Sequence, residues 1–285
     1  MKTRLNWVCA FLTLASMSLS AQAQPAALPL WELGVFAGSA STPAYPGSSD
    51  RAVRTLALPF FIYRGDVFRA ERGSVGARVF RSDDIELDVG FSASLPASSD
   101  DVSVRKGMPD LGTLLEFGPR LKMTLARPSP GSRLLLELPV RAVLEVNNGV
   151  RRQGFAVEPE LGYEVRDAGA GWSLSTTASL FFGDADLNRY FYGVSAPFAT
   201  AARPAYEARA GLITARLGVT TAKSLTPDLR VFVFARHDLQ DGSANKDSPL
   251  FQQTTGTSLG LGLTWTVGRS SQKAANGTGS GKLAN

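Results

Sequence analysis

The chain has 285 residues, with 30 basic against 25 acidic side chains, a formal charge of +5 and 44% hydrophobic residues. That charge balance is too mild and too evenly mixed for a nucleic-acid surface, and after residue 23 no apolar run is long enough for a helical membrane span. The single cysteine, Cys9, lies within the export signal described next, so the mature chain has neither a disulfide nor a cysteine-based metal site.

Residues 1–23 read as a secretory signal. Lys2 and Arg4 form a basic start, Trp7 to Leu19 is mostly apolar, and Ala21-Gln22-Ala23 supplies small residues at the cleavage site, so processing is expected after Ala23. The protein is therefore expected to be exported from a bacterium. Residues 24–30 form a short lead.

From Trp31 onward the chain alternates apolar and polar residues, a period of two that sends alternate side chains to opposite faces of a sheet. Strands are expected over 31–40, 52–63, 67–72 and 74–81, the last two divided at Gly73. The clearest spans 85–95: Ile85, Leu87, Val89, Phe91, Ala93 and Leu95 take one parity, and Glu86, Asp88, Gly90, Ser92 and Ser94 take the other. Residues 113–125 repeat it, with Leu115, Phe117, Leu121 and Met123 opposed to Glu116, Arg120 and Lys122. Residues 133–146 do the same, with Leu134, Leu136, Leu138 and Val140 opposed to Arg133, Glu137, Arg141 and Glu145. Asn147-Asn148-Gly149 is a tight-turn signal. The chain returns over 151–166 with Phe155, Val157, Leu161 and Tyr163 on one face and Arg152, Glu158, Glu160, Glu164 and Arg166 on the other. Strands at 172–182, 208–221, 229–239 and 258–267 complete the set.

Segments of about ten alternating residues divided by turns are the signature of an antiparallel transmembrane β-barrel of the outer-membrane type. The mean hydropathy of −0.01 agrees with this, because every second residue of such a strand is polar. The expected fold is all-β, a single barrel over residues 31–267 with about twelve strands, in the range of roughly 10–12. Gly73 decides the number, since a turn there gives about twelve strands and a bulge one fewer. The long connections 41–51, 96–112, 183–207 and 240–254 fall on one side of the membrane only with the larger number. The tail 268–285, rich in Gly, Ser, Asn, Ala and Lys, has almost nothing to bury and is expected to be disordered.

Three constellations could carry function. Glu116, Arg120, Lys122, Glu137, Arg141, Glu145, Arg152, Glu158, Glu160 and Glu164 share the polar parity of three consecutive strands and are expected to face one another in the lumen. There they form either a paired polar plug or the lining of a narrow channel. The long loops concentrate Tyr45, Met108, Asp110, Tyr190, Tyr192, Arg203, Tyr206 and Asp247 among Pro and Gly. These residue types are favoured at contacts, so they are candidates for partner binding; the alternative is an interfacial girdle or loops folded over the mouth. His237, the sole histidine, adjoins Asp238 but has neither a nearby serine for a Ser-His-acid site nor a second histidine for a metal, and is read as a rim residue. No catalytic, cofactor or metal site is assigned.

Seven short motifs occur in order: Trp31-Glu32-Leu33-Gly34, Tyr45-Pro46-Gly47-Ser48, Leu58-Pro59-Phe60-Phe61-Ile62-Tyr63-Arg64-Gly65, Gly107-Met108-Pro109-Asp110-Leu111, Tyr190-Phe191-Tyr192-Gly193-Val194, Arg203-Pro204-Ala205-Tyr206 and Asp247-Ser248-Pro249-Leu250. Together they resemble the MipA/OmpV family over roughly Trp31 to Val267, with the tail as a departure. The resemblance implies an outer-membrane barrel of a Gram-negative bacterium that touches outer-membrane lipid. It also implies a scaffold joining a lytic murein transglycosylase to a bifunctional penicillin-binding protein, with no catalytic residues. A narrow channel or a small-molecule (antibiotic) binding barrel is the alternative, and a lipid-modifying enzyme around His237 the third.

Overall fold

The computed structural model describes residues 28–274 apart from 65–67, 72–73, 95, 148 and 167. In chain order the strands are β1 (Trp31–Pro43), β2 (Arg51–Arg64), β3 (Phe68–Glu71), β4 (Ser74–Arg81), β5 (Ile85–Ser94), β6 (Thr113–Ala126), β7 (Ser132–Val146), β8 (Val150–Val157), β9 (Glu160–Val165), β10 (Trp172–Gly183), β11 (Gly211–Ser224), β12 (Leu229–Leu239) and β13 (Thr255–Arg269), with one helix, α1 (Ala185–Tyr192). All pairings are antiparallel. β13 closes on β1 from Glu32↔Arg269 to Ser41↔Leu259, which makes the sheet a barrel.

Among the described residues the thirteen strands form twelve antiparallel legs of the barrel, of which β3, with four residues, is too short to cross the membrane. β8 and β9 form one leg, because both pair with β7 on one side and β10 on the other. The break falls at Glu158-Pro159, where proline has no N–H to give the ladder. At the other uncertain position the chain turns: Glu71 pairs with Ser74, so β3 and β4 are a hairpin. The four long loops therefore lie at one end, as expected, together with the short turn between Val146 and Val150 beside Thr113, while the turns 126–132, 165–172 and 224–229 and both ends of the described chain lie at the other. Residues beyond Val267 continue the structure: β13 runs to Arg269, and the Ser270 and Ala274 N–H groups donate to the Trp31 and Leu28 carbonyls. The expected signal and residues 275–285 of the expected tail lie outside the described residues.

Side chains of opposite parity meet different solvents. Leu33, Val35, Phe61, Phe91, Phe117, Leu161, Leu217 and Leu261 are exposed on the outer face, where an apolar band belongs in hydrocarbon. Trp31, Trp172 and Trp265 stand at the short-turn end, at the depth of an interfacial girdle. Lys223 places its ammonium 5.0 Å from the Trp172 ring centre.

The wall is uneven beside β3. Its hairpin meets β2 only at Tyr63↔Ala70 and Arg64↔Arg69, and β4 meets β5 from Arg81↔Glu86 up to Gly76↔Gly90. Among the described residues, Arg51–Ile62 of β2 pair only with β1, and Phe91–Ser94 of β5 pair only with β6.

Candidate functional site

The long loops close the mouth of the barrel by folding on one another. Tyr45, Val102, Leu111, Leu187, Tyr192, Val194 and Leu250 form a single buried apolar cluster, with Tyr192 and Leu250 at 0% exposure. Polar ties fix the cluster: the Tyr45 hydroxyl donates to the Leu250 carbonyl, and the Ser248 hydroxyl donates to the Tyr192 carbonyl at 2.7 Å. Arg203 Nη1 donates to the Val104 carbonyl at 2.7 Å, and Ser103 donates to Asp50 Oδ2 through its N–H at 2.8 Å and its hydroxyl at 2.7 Å. Asn245 sits at the centre. Its amide donates to Asn188 Oδ1 and the Arg209 carbonyl, each at 2.8 Å, and its oxygen accepts from the Arg209 N–H at 2.8 Å.

Burial dominates the electrostatics of this lid. It pushes the Tyr45 phenol up to about 12, against the opposing pull of Arg105. It also raises the Tyr190 and Tyr192 phenols and lowers the Arg105 guanidinium, which lies 5.7 Å from the Tyr45 ring centre. α1 is anchored by Asp184, whose carboxylate accepts the Leu187 N–H at 2.9 Å as an N-cap. Gly154 makes room for that cap. It has φ +118°, and a Cβ there would lie 2.1 Å from Asp184 Oδ1.

Below the lid, one side of the lumen is a mesh of ion pairs. Arg120 grips Asp88 through Nε at 3.0 Å and Nη2 at 2.9 Å, and lies 3.5 Å from Glu137. Lys122 reaches Asp88 at 3.3 Å and Glu86 at 3.9 Å. Arg133 donates to Glu164 at 2.7 Å. Glu158 is a hub: it accepts from Arg216 at 2.6 Å, from Ser179 at 3.1 Å and from Arg141 at 3.4 Å. Arg141 also reaches Glu116 at 3.1 Å, and Asp238 lies 3.5 Å from Arg216 and 3.2 Å from Arg236. Apart from Arg236, which pairs with Asp238 two residues on in its own strand, each of these cations neutralises carboxylates of other strands, the arrangement that makes burial of charge tolerable.

The opposite side of the lumen is apolar. Phe36 of β1, Leu56 and Phe60 of β2, and Phe232 and Phe234 of β12 share the inward parity set by the pairs Phe36↔Leu58, Gly34↔Phe60, Gly260↔Phe234 and Gly262↔Phe232. The rings lie flat over glycines of the adjacent strand. A Cβ at Gly34 would come within 2.5 Å of the Phe60 ring, at Gly260 within 2.3 Å of Phe234, and at Gly262 within 2.6 Å of Phe232. Phe36 and Phe232 stack with ring centres 5.8 Å apart. Between this wall and the ion pairs, under the lid, lies a cavity of about 470 Å³.

The structure brings together Glu116, Arg120, Lys122, Glu137, Arg141, Glu158 and Glu164 of the lumen set. Glu160 faces the same way, opposite Glu137 and Ser179. Glu145 sits higher, under the lid, accepting from the Gly112 N–H at 3.0 Å and Gln153 at 2.7 Å. Arg152 departs from the set. The irregularity at Gly154 shifts its register, so Arg152 pairs with the outward Leu144 and lies over the Phe155 ring at 4.6 Å. Of the loop residues, Tyr45 and Tyr192 are core of the lid, and Met108, Tyr190 and Tyr206 pack against that core. Arg203 is committed to backbone carbonyls, and only Asp110 and Asp247 are exposed. Asp110 accepts the Ser99 N–H at 2.6 Å.

His237 faces outward, with Nδ1 3.0 Å from the Thr257 hydroxyl, while Asp238 points into the lumen toward Arg216. Adjacent residues of a strand cannot form a dyad across the sheet. Among the described residues, no group of three or more His, Cys, Asp or Glu side chains is placed to hold a metal ion. Sequence reasoning missed Arg216, Arg236 and Asp238 in the mesh. The parity of 229–239 puts Arg236 and Asp238 on one face, a signal masked by reading Asp238 as a neighbour of His237.

The family model described as MltA-interacting protein MipA matches residues 35–267. No curated protein matches the chain. Among solved structures, it is similar to the COG4313 outer membrane channel from Pseudomonas putida F1, at 10% identity and TM-score 0.46 over 86% of this chain and 97% of that one. It is also similar to the translocator domain of autotransporter NalP from Neisseria meningitidis, at 12% identity and TM-score 0.39 over 83% and 88%. A third likeness is outer membrane phospholipase A from Escherichia coli, at 9% identity and TM-score 0.33 over 82% and 92%.

Proposed function

The chain belongs to the MltA-interacting protein MipA family, and on that premise we propose that this outer-membrane barrel is a non-enzymatic, non-conducting scaffold for a lytic murein transglycosylase. The observation that carries the reading is the lid. Loops that share one buried cluster cover the mouth, and the ion pairs beneath it cross between strands of the lumen, so solute has no straight path through. The short-turn end, facing the periplasm, is then the surface left for a murein enzyme, with a bifunctional penicillin-binding protein as the second partner of the scaffold. Exposed charge there includes Arg127, whose guanidinium donates to Asp84 at 2.5 Å, and Arg269, which reaches Asp228.

The test uses the full chain in lipid nanodiscs, mixed with purified lytic transglycosylase from the same host. Saturable binding that falls when Arg127 and Arg269 are changed to Glu supports the scaffold. No binding, together with steady conductance of the wild-type barrel in a planar bilayer, overturns it. An unchanged phospholipid and lipid A profile in a His237→Ala strain is the accompanying expectation for a barrel without enzymatic activity.

A further inference from the structure

The cavity under the lid has one apolar wall, one charged wall and a break in the barrel beside it. Both edges of that break contribute to its lining: Arg54 and Leu56 from β2, and Ser92 and Ser94 from β5. These are strand segments with no ladder partner on the facing side among the described residues. The break is bounded. Below it stands the β3–β4 hairpin; above it, Arg54 Nη2 donates to the Pro96 carbonyl, and Ser103 donates to Asp50. It is a window in the wall. Along β5 it is about 14 Å long, four residues at roughly 3.4 Å each.

Unpaired strand edges in hydrocarbon cost several kcal/mol per peptide group, and are tolerated where they line a hydrated cavity. The window and the cavity therefore form one continuous space. Its chemistry is two-sided. Phe36, Phe232 and Phe234 face it from the apolar wall; Arg141 and Arg216 with Glu116 and Glu158 line it from β6 to β11, while Arg236 and Asp238 continue the inward face of β12 above Phe234, and Arg54 that of β2 above Leu56. Arg141 and Arg216 are spent on Glu116 and Glu158. Two cations are left short of counter-charge: Arg54, held by the Thr42 hydroxyl and the Pro96 carbonyl, has no carboxylate partner among the described residues, and Arg236 shares Asp238 with Arg216, has only a 3.4 Å contact to Ser258 besides, and keeps a side chain 41% exposed although it points inward. A volume of about 470 Å³ is within the range of small-molecule sites.

We propose that this cavity binds a single-chain or ring-bearing organic anion, with its acid group on Arg236, its apolar body on the phenylalanine wall, and entry through the β2–β5 window. The site is independent of murein-enzyme docking, which concerns the opposite end of the barrel.

The test measures binding to the full chain in nanodiscs by calorimetry, with decanoate, decyltrimethylammonium and decanol as matched probes. Decanoate is expected to bind saturably at one site, about tenfold or more tighter than the other two, and Arg236→Gln to remove that advantage. Phe234→Ser is expected to weaken decanoate and decanol alike. Heat-modifiable migration on gels confirms that each variant is folded. Equal binding of all three probes, or decanoate binding unchanged by both substitutions, overturns the site. Loss of decanoate binding in phosphatidylglycerol discs but not phosphatidylcholine discs, dependent on Arg236, assigns the site to a diacyl lipid and overturns the single-chain assignment. For entry, a bulky maleimide on Ser92→Cys should slow decanoate association several-fold, whereas the same label on Asp247→Cys, on the lid surface, should not. Equal rates for the two labelled proteins overturn the window.

Discussion

Glu158→Gln is the sharpest probe of how the lumen is held. The carboxylate accepts from Arg216 at 2.6 Å, Ser179 at 3.1 Å and Arg141 at 3.4 Å, and its side chain is 14% exposed. Stripping a buried cation of its only counter-charge costs about 3–5 kcal/mol. Here each arginine keeps a second carboxylate: Arg216 has Asp238 at 3.5 Å, and Arg141 has Glu116 at 3.1 Å. The amide also preserves the shape and part of the hydrogen bonding. The expected loss is therefore about 2 kcal/mol, nearer the worth of one charge-assisted hydrogen bond than of an orphaned ion. Urea unfolding in lipid vesicles, followed by the fluorescence of Trp31, Trp172 and Trp265, measures it. The double variant Glu158→Gln/Arg216→Gln should cost at least ~1 kcal/mol less than the two single losses combined, because removing both partners leaves neither uncompensated. A single-variant loss below ~0.5 kcal/mol, or strict additivity, refutes the reasoning and means water solvates these charges.

Two further outcomes test the lid and the wall. Asn245→Ala strips the buried Arg209 N–H and carbonyl and Asn188 of their partner, a cost of about 2–4 kcal/mol confined to the loops. Limited proteolysis should then cut within residues 184–210, and planar bilayers should show openings absent from the wild type. Gly118→Ala would place a Cβ 2.0 Å from the Val140 carbonyl oxygen, where backbone must move, so the folded, heat-modifiable gel band should be lost. Gly162→Ala, whose nearest neighbour would be Thr177 at 3.9 Å, should keep the band and lie within about 0.5 kcal/mol of the wild type.

Much of the wall was legible because alternation is a local property. Ile85–Ser94 and Ser132–Val146 form strands wherever their two parities find different solvents. The lumen mesh followed from the same parity, and failed at Arg152 because one left-handed glycine shifts the register by a residue. The apolar inner wall was not legible. On β2, Leu56 and Phe60 point in while Val53, Ala57 and Phe61 point out, so both parities are apolar and no alternation marks the inner face. Their complement, the glycines at 34, 260 and 262, lies on other strands and is meaningless until the register is known. For the loop aromatics the sequence leaves contact residues and loops folded over the mouth both open, because nothing local distinguishes an exposed Tyr from a buried one; the structure takes the second. Tyr45 and Leu250, 205 positions apart in the chain, become core only through a long-range contact.

The seam between β1 and β13 has a consequence for biogenesis. Its pairs join Glu32 to Arg269 and Ser41 to Leu259, so the first strand made waits for the last before its edge is satisfied. Contacts of such high sequence separation form slowly, and an exposed strand edge is a template for pairing with the wrong chain. Once the intervening strands have paired, β1 and β13 hold margins that match each other, so closing the seam both completes the wall and removes a template for mispairing.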